Sequence, residues 1–348
     1  MAFIDQPILT IAIPTYNRSK YLDRALHYIH IQIKDLNSLI EIIVSDNCSN
    51  DDTTSVVQKY IDNGLEIRYI KNEINKGADF NIAQCFLKAK GKFVVAFGDD
   101  DVFNKGSIER ILFVLNKYNE VGLFYLNWKV IDTDNSLKEE SSEIIIYDDY
   151  SAFYEKINQS ITFISGIIVN SKYIKKVDFN KYLQSCLIQL PLYLEASFGA
   201  EYNIIHKEPL IGVQPENSGG YSFSNVFGEN MDRIFEIYST NVSRKKIFEN
   251  IKIRLLMENF PVWVYRTKTQ KVTYTDISDI HEVLSLVYSK YFHYWLFVYP
   301  IIIMPNGILK SLWGIYRVYK YALRRILLCL KPTSKSGTVV KFYLEKNI

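Results

Sequence analysis

Short apolar runs that stop at polar, turn-forming residues, with helix-length segments between them, narrow the folds open to this chain more than any other feature. Residues 8–14 (ILTIAIP), 39–45 (LIEIIVS), 66–70 (EIRYI) and 92–97 (KFVVAF) read as strands. Residues 18–33, 51–61 and 78–90 lie between them and are long enough for helices. Strands joined by helical crossovers predict an α/β fold, a parallel sheet covered on both faces. Ligands of such sheets sit beyond the carboxyl ends of the strands. At those ends stand TYNR (15–18), DNCS (46–49), NEINKG (72–77) and GDDD (98–101).

The chain is 348 residues long, 48% hydrophobic and 23% charged, which excludes disorder and leaves room for a second unit. Later strand signals fall at 121–130, 143–147, 161–170 and 203–213, with Gly166 a bulge or close backbone approach. PENSGG (215–220) reads as a loop and boundary, and 227–288 reads as mainly helical. Cys48, Cys85, Cys186 and Cys329 form no CxxC pair, which argues against a disulfide scaffold or a zinc site. With no basic-then-apolar leader at the start, the expected compartment is the cytoplasm.

Asp99, Asp100 and Asp101 follow the fourth run. Three adjacent carboxylates repel one another unless a cation is near. Hard divalent ions such as Mg²⁺ or Mn²⁺ take a few carboxylates and complete their shell with phosphate oxygens. The plainer alternative is a helix N-terminus dressed with acids. Asp46 ends the second run, where a turn or helix cap is the ordinary use of a lone aspartate. No GxGxxG or GxxxxGK[ST] stands near the strand ends, so a phosphate ligand there calls for a metal.

The succession IPTYNR (13–18), VSDNCSND (44–51), NKG (75–77) and FGDDD (97–101) resembles the inverting glycosyltransferase family 2. The resemblance implies a GT-A fold, a Rossmann-like mixed sheet flanked by helices that binds nucleotide sugars. It also implies roles. Pro14, Tyr16 and Arg18 would border the nucleotide base and phosphates. Asp46 would accept a hydrogen bond from the base, and Lys76 and Gly77 would lie beside the nucleotide. The GDDD run would stand for the DxD motif, with Asp100 as ligand of Mg²⁺ or Mn²⁺. Asp99 and Asp101 would then serve ribose, sugar or a second metal oxygen. Gly98 departs from the motif, since the usual first aspartate falls on it if the final acids are aligned.

The resemblance continues more weakly through FISGIIVN (163–170), VDF (177–179) and KEPLIGVQPENSGGYSF (207–223) to abequosyltransferase-like enzymes of O-antigen and surface polysaccharide synthesis. These imply a nucleotide-sugar donor and a lipid-linked glycan acceptor. An inverting transfer needs a base for the acceptor hydroxyl. Gln189 falls where related sequences carry His or an acid, and an amide is no base. Asp101 and Glu195 are therefore the catalytic candidates, with His206 a further option. Glu195 alone reads equally as a solvated helix residue.

Residues 290–348 carry ten Lys or Arg and one acid, Glu345, while the rest of the chain holds 31 bases and 37 acids. A basic tail on an acidic body points to an anionic partner. Within 308–330, Lys310, Arg317, Lys320, Arg324 and Arg325 share one arc beside a broad apolar face. That pattern favours an anionic membrane surface over nucleic acid, on the inner face of the cell membrane. The alternative is a helix packed on the protein. The expected organisation is thus 1–225 catalytic (1–105 donor half, 106–225 acceptor half), 226–289 helical extension and 290–348 tail. A nucleotidyltransferase, or a non-catalytic protein binding nucleotide sugar or glycan, remains open as an alternative function.

Overall fold

The computed structural model describes residues 6–33, 36–131, 141–214, 221–270, 277–329 and 337–343. The strands are β1 (Leu9–Thr15), β2 (Ile40–Asp46), β3 (Ile67–Lys71), β4 (Phe93–Ala96), β5 (Val102–Phe103), β6 (Leu123–Val130), β7 (Ser141–Tyr147), β8 (Ile167–Asn170), β9 (Asn203–Val213) and β10 (Thr338–Tyr343). They form one sheet in the order β10-β7-β9-β6-β8-β4-β1-β2-β3, with β5 paired to β9. β4, β1, β2 and β3 run parallel. Beyond them β8 is antiparallel to both β4 and β6, and β9 is parallel to β6.

Parallel strands need crossovers, and the helices supply them. α1 (Ser19–His30) follows β1, α2 (Thr53–Asp62) follows β2 and α3 (Ala78–Lys88) follows β3. In α1, Leu22, Leu26 and Ile29 recur at four and three residues, which gives one buried stripe. Alternation along β4 sends Phe93 and Val95 to one face, and Val94 and Ala96 to the other. The first face is covered by α1, α2 and α4 (Ser107–Lys117). The second meets Ala83 and Phe86 of α3.

That second core continues without a break into the later helices. It takes in α5 (Tyr150–Ile157), α6 (Leu190–Gly199), α7 (Met231–Tyr238), α8 (Val242–Arg254), α9 (Phe260–Gln270) and α10 (Ile277–Tyr288). Phe235 of α7 stacks on Phe248 of α8 at 4.3 Å, and Phe248 meets Phe198 of α6 edge-on at 6.1 Å. The expected extension at 226–289 is therefore packed against the acceptor half.

Two sequence expectations change, and a third lies outside the described residues. Residues 161–170 are a strand only from Ile167. Before it the chain coils through Asn158–Thr162 and folds so that a Cβ on Gly166 would lie 2.5 Å from the Phe163 ring. Gly166 is thus a close approach. The expected boundary loop at 215–220 lies outside the described residues. The tail, finally, is not one appendage. Tyr294, Phe297, Val298 and Ile301 are buried, and the Lys268 ammonium donates to the carbonyls of Ile301, Ile302 and Met304. Farther on, β10 pairs antiparallel with β7 and buries Phe342, which stacks on Phe113 at 4.8 Å.

Between these anchors run α11 (Tyr299–Ile303) and α12 (Asn306–Cys329). α12 uses one stripe for packing. Leu309 is buried, Trp313 stacks on Tyr265 at 3.7 Å, and the Tyr316 hydroxyl donates to the Phe297 carbonyl at 2.6 Å. Ile308, Leu312, Ile315 and Tyr319 lie on an adjacent stripe and are exposed.

Candidate functional site

The polar segments expected at the strand ends come together in space. Register sets Thr15 opposite Asp46 and Ala12 opposite Ala96, so TYNR, DNCS and GDDD emerge side by side. Side chains lace the first two into one rim. The Asn17 amide donates to Ser49 Oγ, the Asn50 amide to Asn17 Oδ1, and the Ser19 amide to Asp51, each at 2.9 Å. Asn17 (φ 53°) and Cys48 (φ 72°) take left-handed backbone there.

The third segment is held by Asn47, which sits buried below it. Its amide donates to Asn75 Oδ1 at 2.7 Å and its Oδ1 accepts from the Lys76 amide at 3.0 Å. Gly77 needs φ 86°, which glycine adopts without strain, and α3 starts immediately after it. The Lys76 ammonium lies over the Phe80 ring at 4.6 Å, on the rim of this region.

At the end of β4 the chain turns, with the Asp101 amide bonded to the Gly98 carbonyl, and the three aspartates diverge. Asp99 accepts from the Thr15 hydroxyl at 2.7 Å and pairs with Arg18 at 3.3 Å. Asp100 pairs with the other end of that guanidinium at 3.0 Å. Asp101 is held by Ser165 and by the Gln214 amide. The β5–β9 pairing brings Gln214 there, since Val102 registers with Gly212. Arg24 closes the corner, donating to the Asp100 carbonyl at 2.7 Å and to Gln214 Oε1 at 2.8 Å. Burial pushes the carboxyls of Asp99 and Asp101 up to about 7, against the pull of Arg18 and Thr15 on Asp99 and of Ser165 on Asp101.

Glycine 98 explains its own departure from the motif. A Cβ there would lie 2.9 Å from Asp100 Oδ1, 3.2 Å from Ser165 Oγ and 3.3 Å from Asp101 Oδ2. Two carboxylate oxygens and a hydroxyl therefore converge on the space a side chain would fill. Among the described residues no three His, Cys, Asp or Glu side chains form a complete metal cluster. The donor set nevertheless suits a hard ion that takes few protein oxygens and shares phosphate oxygens.

Pro14, Tyr16, Arg18, Lys76, Gly77 and Asp99–Asp101 are thus gathered around one end of the sheet. Asp46 needs correction. It is fully buried, its Oδ1 accepts from the Ser49 amide at 2.7 Å, and its Oδ2 accepts from the Tyr69 hydroxyl at 2.6 Å. It caps its own turn and holds Tyr69, and shows no surface to a base. Glu195 is not brought to the site. It reaches the Tyr238 hydroxyl of α7, which burial and Tyr182 also affect. Six helical residues turn its side chain by roughly 240° from Gln189, whose amide donates to the Thr162 carbonyl at 2.9 Å. His206 is fully buried within β9, between Leu126 of β6 and Ile144 of β7. Thr15, Arg24, Ser165 and Gln214 were missed. Thr15, Ser165 and Gln214 lie inside quoted motifs, whereas Arg24 carries no sequence signal.

Residues 10–177 match the family described as Glycosyl transferase family 2. The abequosyltransferase RfbV of Salmonella typhimurium is 25% identical over 281 residues, 75% of this chain and 83% of that protein. The GalNAc(5)-diNAcBac-PP-undecaprenol beta-1,3-glucosyltransferase of Campylobacter jejuni is 35% identical over 137 residues, 39% of this chain and 42% of that protein. In structure the chain is similar to S. aureus TarS 1-349, solved in complex with UDP-GlcNAc, with a TM-score of 0.58, 16% identity and 97% of each chain covered. The fold is GT-A.

Proposed function

We propose that this chain, whose residues 10–177 match glycosyl transferase family 2, transfers a sugar, with inversion and with a divalent metal, from a nucleotide-sugar donor to a lipid-linked glycan of a bacterial surface polysaccharide. The observation that carries this reading is the convergence of Asp100, Asp101 and Ser165 on Gly98, beside the Arg18 guanidinium and the rim built by 15–19, 46–51 and 75–77. The relative named for a PP-undecaprenol glycan supports the acceptor class, and the abequosyltransferase supports sugar transfer.

In this reading the donor diphosphate lies over Gly98 and Arg18. Asp100 would hold Mg²⁺ or Mn²⁺, and a bound ion there would neutralise the leaving diphosphate. Arg18 already spans Asp99 and Asp100, so it is placed to turn from those acids toward the phosphates as they arrive. Pro14, Tyr16, Lys76 and Gly77 border the nucleotide. Asp46 supports the base pocket indirectly, through its turn and Tyr69. With Glu195 and His206 removed, Asp101 takes the role of accepting the acceptor's proton, and Ser165 and the Gln214 amide fix its orientation.

For the membrane, the exposed stripe of α12 (Ile308, Leu312, Ile315, Tyr319) would lie in the lipid interface with Arg317 and Lys310 toward headgroups. No helix among the described residues is long and apolar enough to cross a membrane. The test is a panel of nucleotide sugars offered with lipid-linked or soluble glycan, with Mn²⁺ or with EDTA. Turnover of one donor, dependent on metal and faster with the lipid-linked glycan, is expected. Turnover unaffected by EDTA, or blind to the acceptor, would contradict the metal or the acceptor assignment respectively.

A further inference from the structure

Asp79 stands in the first turn of α3, two residues beyond Gly77, and is 6% exposed. Its carboxylate reaches away from the sheet into the chain that precedes α6. Oδ2 accepts from the Cys186 amide at 2.9 Å, while Oδ1 is buried with no hydrogen-bond partner among the described residues; burial pushes the carboxyl up, and the amides of Cys186, Ile188, Ser185 and Gln184 pull it back. Gln184 (φ 69°) and Cys186 (φ 55°) both adopt left-handed backbone, which non-glycine residues avoid unless something holds them. Backbone amides gathered beside one carboxylate make a nest-like cradle, anchored by the Cys186 bond. Here the anion belongs to the protein.

The nest is one link in a closed path. Asn81, on the same turn of α3, donates to the Ser45 carbonyl at 2.8 Å, which fixes that turn to the end of β2. Residues 184–188 run directly into Gln189. Gln189 holds the Thr162 carbonyl, and the Tyr193 hydroxyl donates to the Ile164 carbonyl at 3.4 Å. Ser165 follows, accepts the Gly98 amide at 2.9 Å and holds Asp101. Asp79 therefore joins the NKG side of the pocket to the 162–165 segment on its other side.

We propose that Asp79 is a positioning residue: its carboxylate shapes residues 184–189 and, through 162–165, sets the alignment of the acceptor and Asp101 without touching the donor. This rests on the glycosyltransferase reading above. The plainer role, an acid that favours the α3 N-terminus, would act on stability alone.

The test compares the wild type with Asp79→Asn and with Asp79→Asn combined with Gln184→Gly and Cys186→Gly. The expected result for Asp79→Asn is nucleoside-diphosphate affinity within twofold of wild type, an acceptor KM raised at least about fivefold, and faster amide exchange at 184–188. Glycine needs no carboxylate to hold a positive φ, so the triple variant should recover part of the acceptor KM. An unchanged acceptor KM, or donor affinity lost in parallel, would overturn the proposal. Should Asp79→Asn not fold, exchange in the wild type decides: the Cys186 amide must be protected, and rapid exchange there removes the nest. A wild type that turns over no nucleotide sugar would instead overturn the glycosyltransferase reading, and amide exchange would still report on the tie.

Discussion

In the proposed reading the aspartates at the strand ends carry the chemistry, and their differences come from partners far away in sequence. Asp100→Asn should leave the fold intact and lower transfer by at least ~100-fold, the scale of losing a charged contact to a developing anion. Isotherms for Mn²⁺ binding should weaken alongside, and near-normal turnover by the folded variant would remove Asp100 from the metal site. Asp46→Ala frees the Ser49 amide and the Tyr69 hydroxyl, each bonded to a charged group, so a loss of about 1.5–3 kcal/mol in stability is expected. Calorimetry should show weaker nucleoside-diphosphate binding as well, because the rim deforms; unchanged affinity would place the base elsewhere. His206 gives a pH signature. Burial, with Arg110 nearby, lowers its pKa to about 4 in the folded chain, below the ordinary 6.5. The neutral imidazole is thus native, and its contribution is present above pH 6.5 and lost as pH falls toward 4, about 3 kcal/mol across that window. Asp99 and Asp101, raised to about 7, act in the opposite direction there. The measurement is therefore the difference in urea stability between wild type and His206→Phe at pH 7 and pH 5. The difference should change by about 2 kcal/mol; a constant difference would mean that His206 does not titrate in this window. Sequence made the acids legible because their type and spacing are local. It did not disclose that Asp46 is sealed by Tyr69 or that Arg18 spans two acids, since those contacts join residues 23 and more than 80 apart.

At the scale of elements, legibility followed the range of the contacts that make them. β1 to β4 and the helices between them declare themselves through apolar runs and turn residues, and the structure moves their ends by only a few residues. The strand reading of 161–170 failed in its first half because apolar content alone does not exclude a coil packed beneath a ring, as Phe163 is over Gly166. β10 was missed because its pairing partner, β7, lies nearly two hundred residues earlier. α12 divides between packing and exposure. Leu309, Trp313 and Tyr316 pack on the protein, while Ile308, Leu312, Ile315 and Tyr319 remain outside. Phe342→Ala tests the return of the chain to the sheet. Removing a buried aromatic should cost about 3 kcal/mol and lower Tm by several degrees; an unchanged melting curve would mean that β10 does not hold in solution. It follows that ending the chain near residue 290 removes an edge strand along with the basic helix, so membrane binding is better probed by charge reversal at Lys310 and Arg317. Those changes should reduce co-sedimentation with anionic vesicles at low salt. Equal recovery of wild type and variant would make α12 a packing helix with an apolar stripe of other use.

For the molecule as a whole, the account joins a donor pocket at the ends of β1, β2 and β4 to an acceptor region framed by 162–165 and α6, with the later helices sharing its core. In the proposed reading, donor chemistry, acceptor alignment and attachment to a surface occupy successive parts of one body. The central claim is transfer with inversion, and the nucleotidyltransferase alternative shares the acids but differs in what it releases. One NMR experiment distinguishes them: a reaction of the protein with its nucleotide sugar and glycan, followed by phosphorus and proton spectra of the same sample. The account predicts nucleoside diphosphate in step with glycosylated acceptor, no pyrophosphate, and an anomeric configuration opposite to that of the donor. Pyrophosphate among the products, or a retained anomeric configuration, would contradict it.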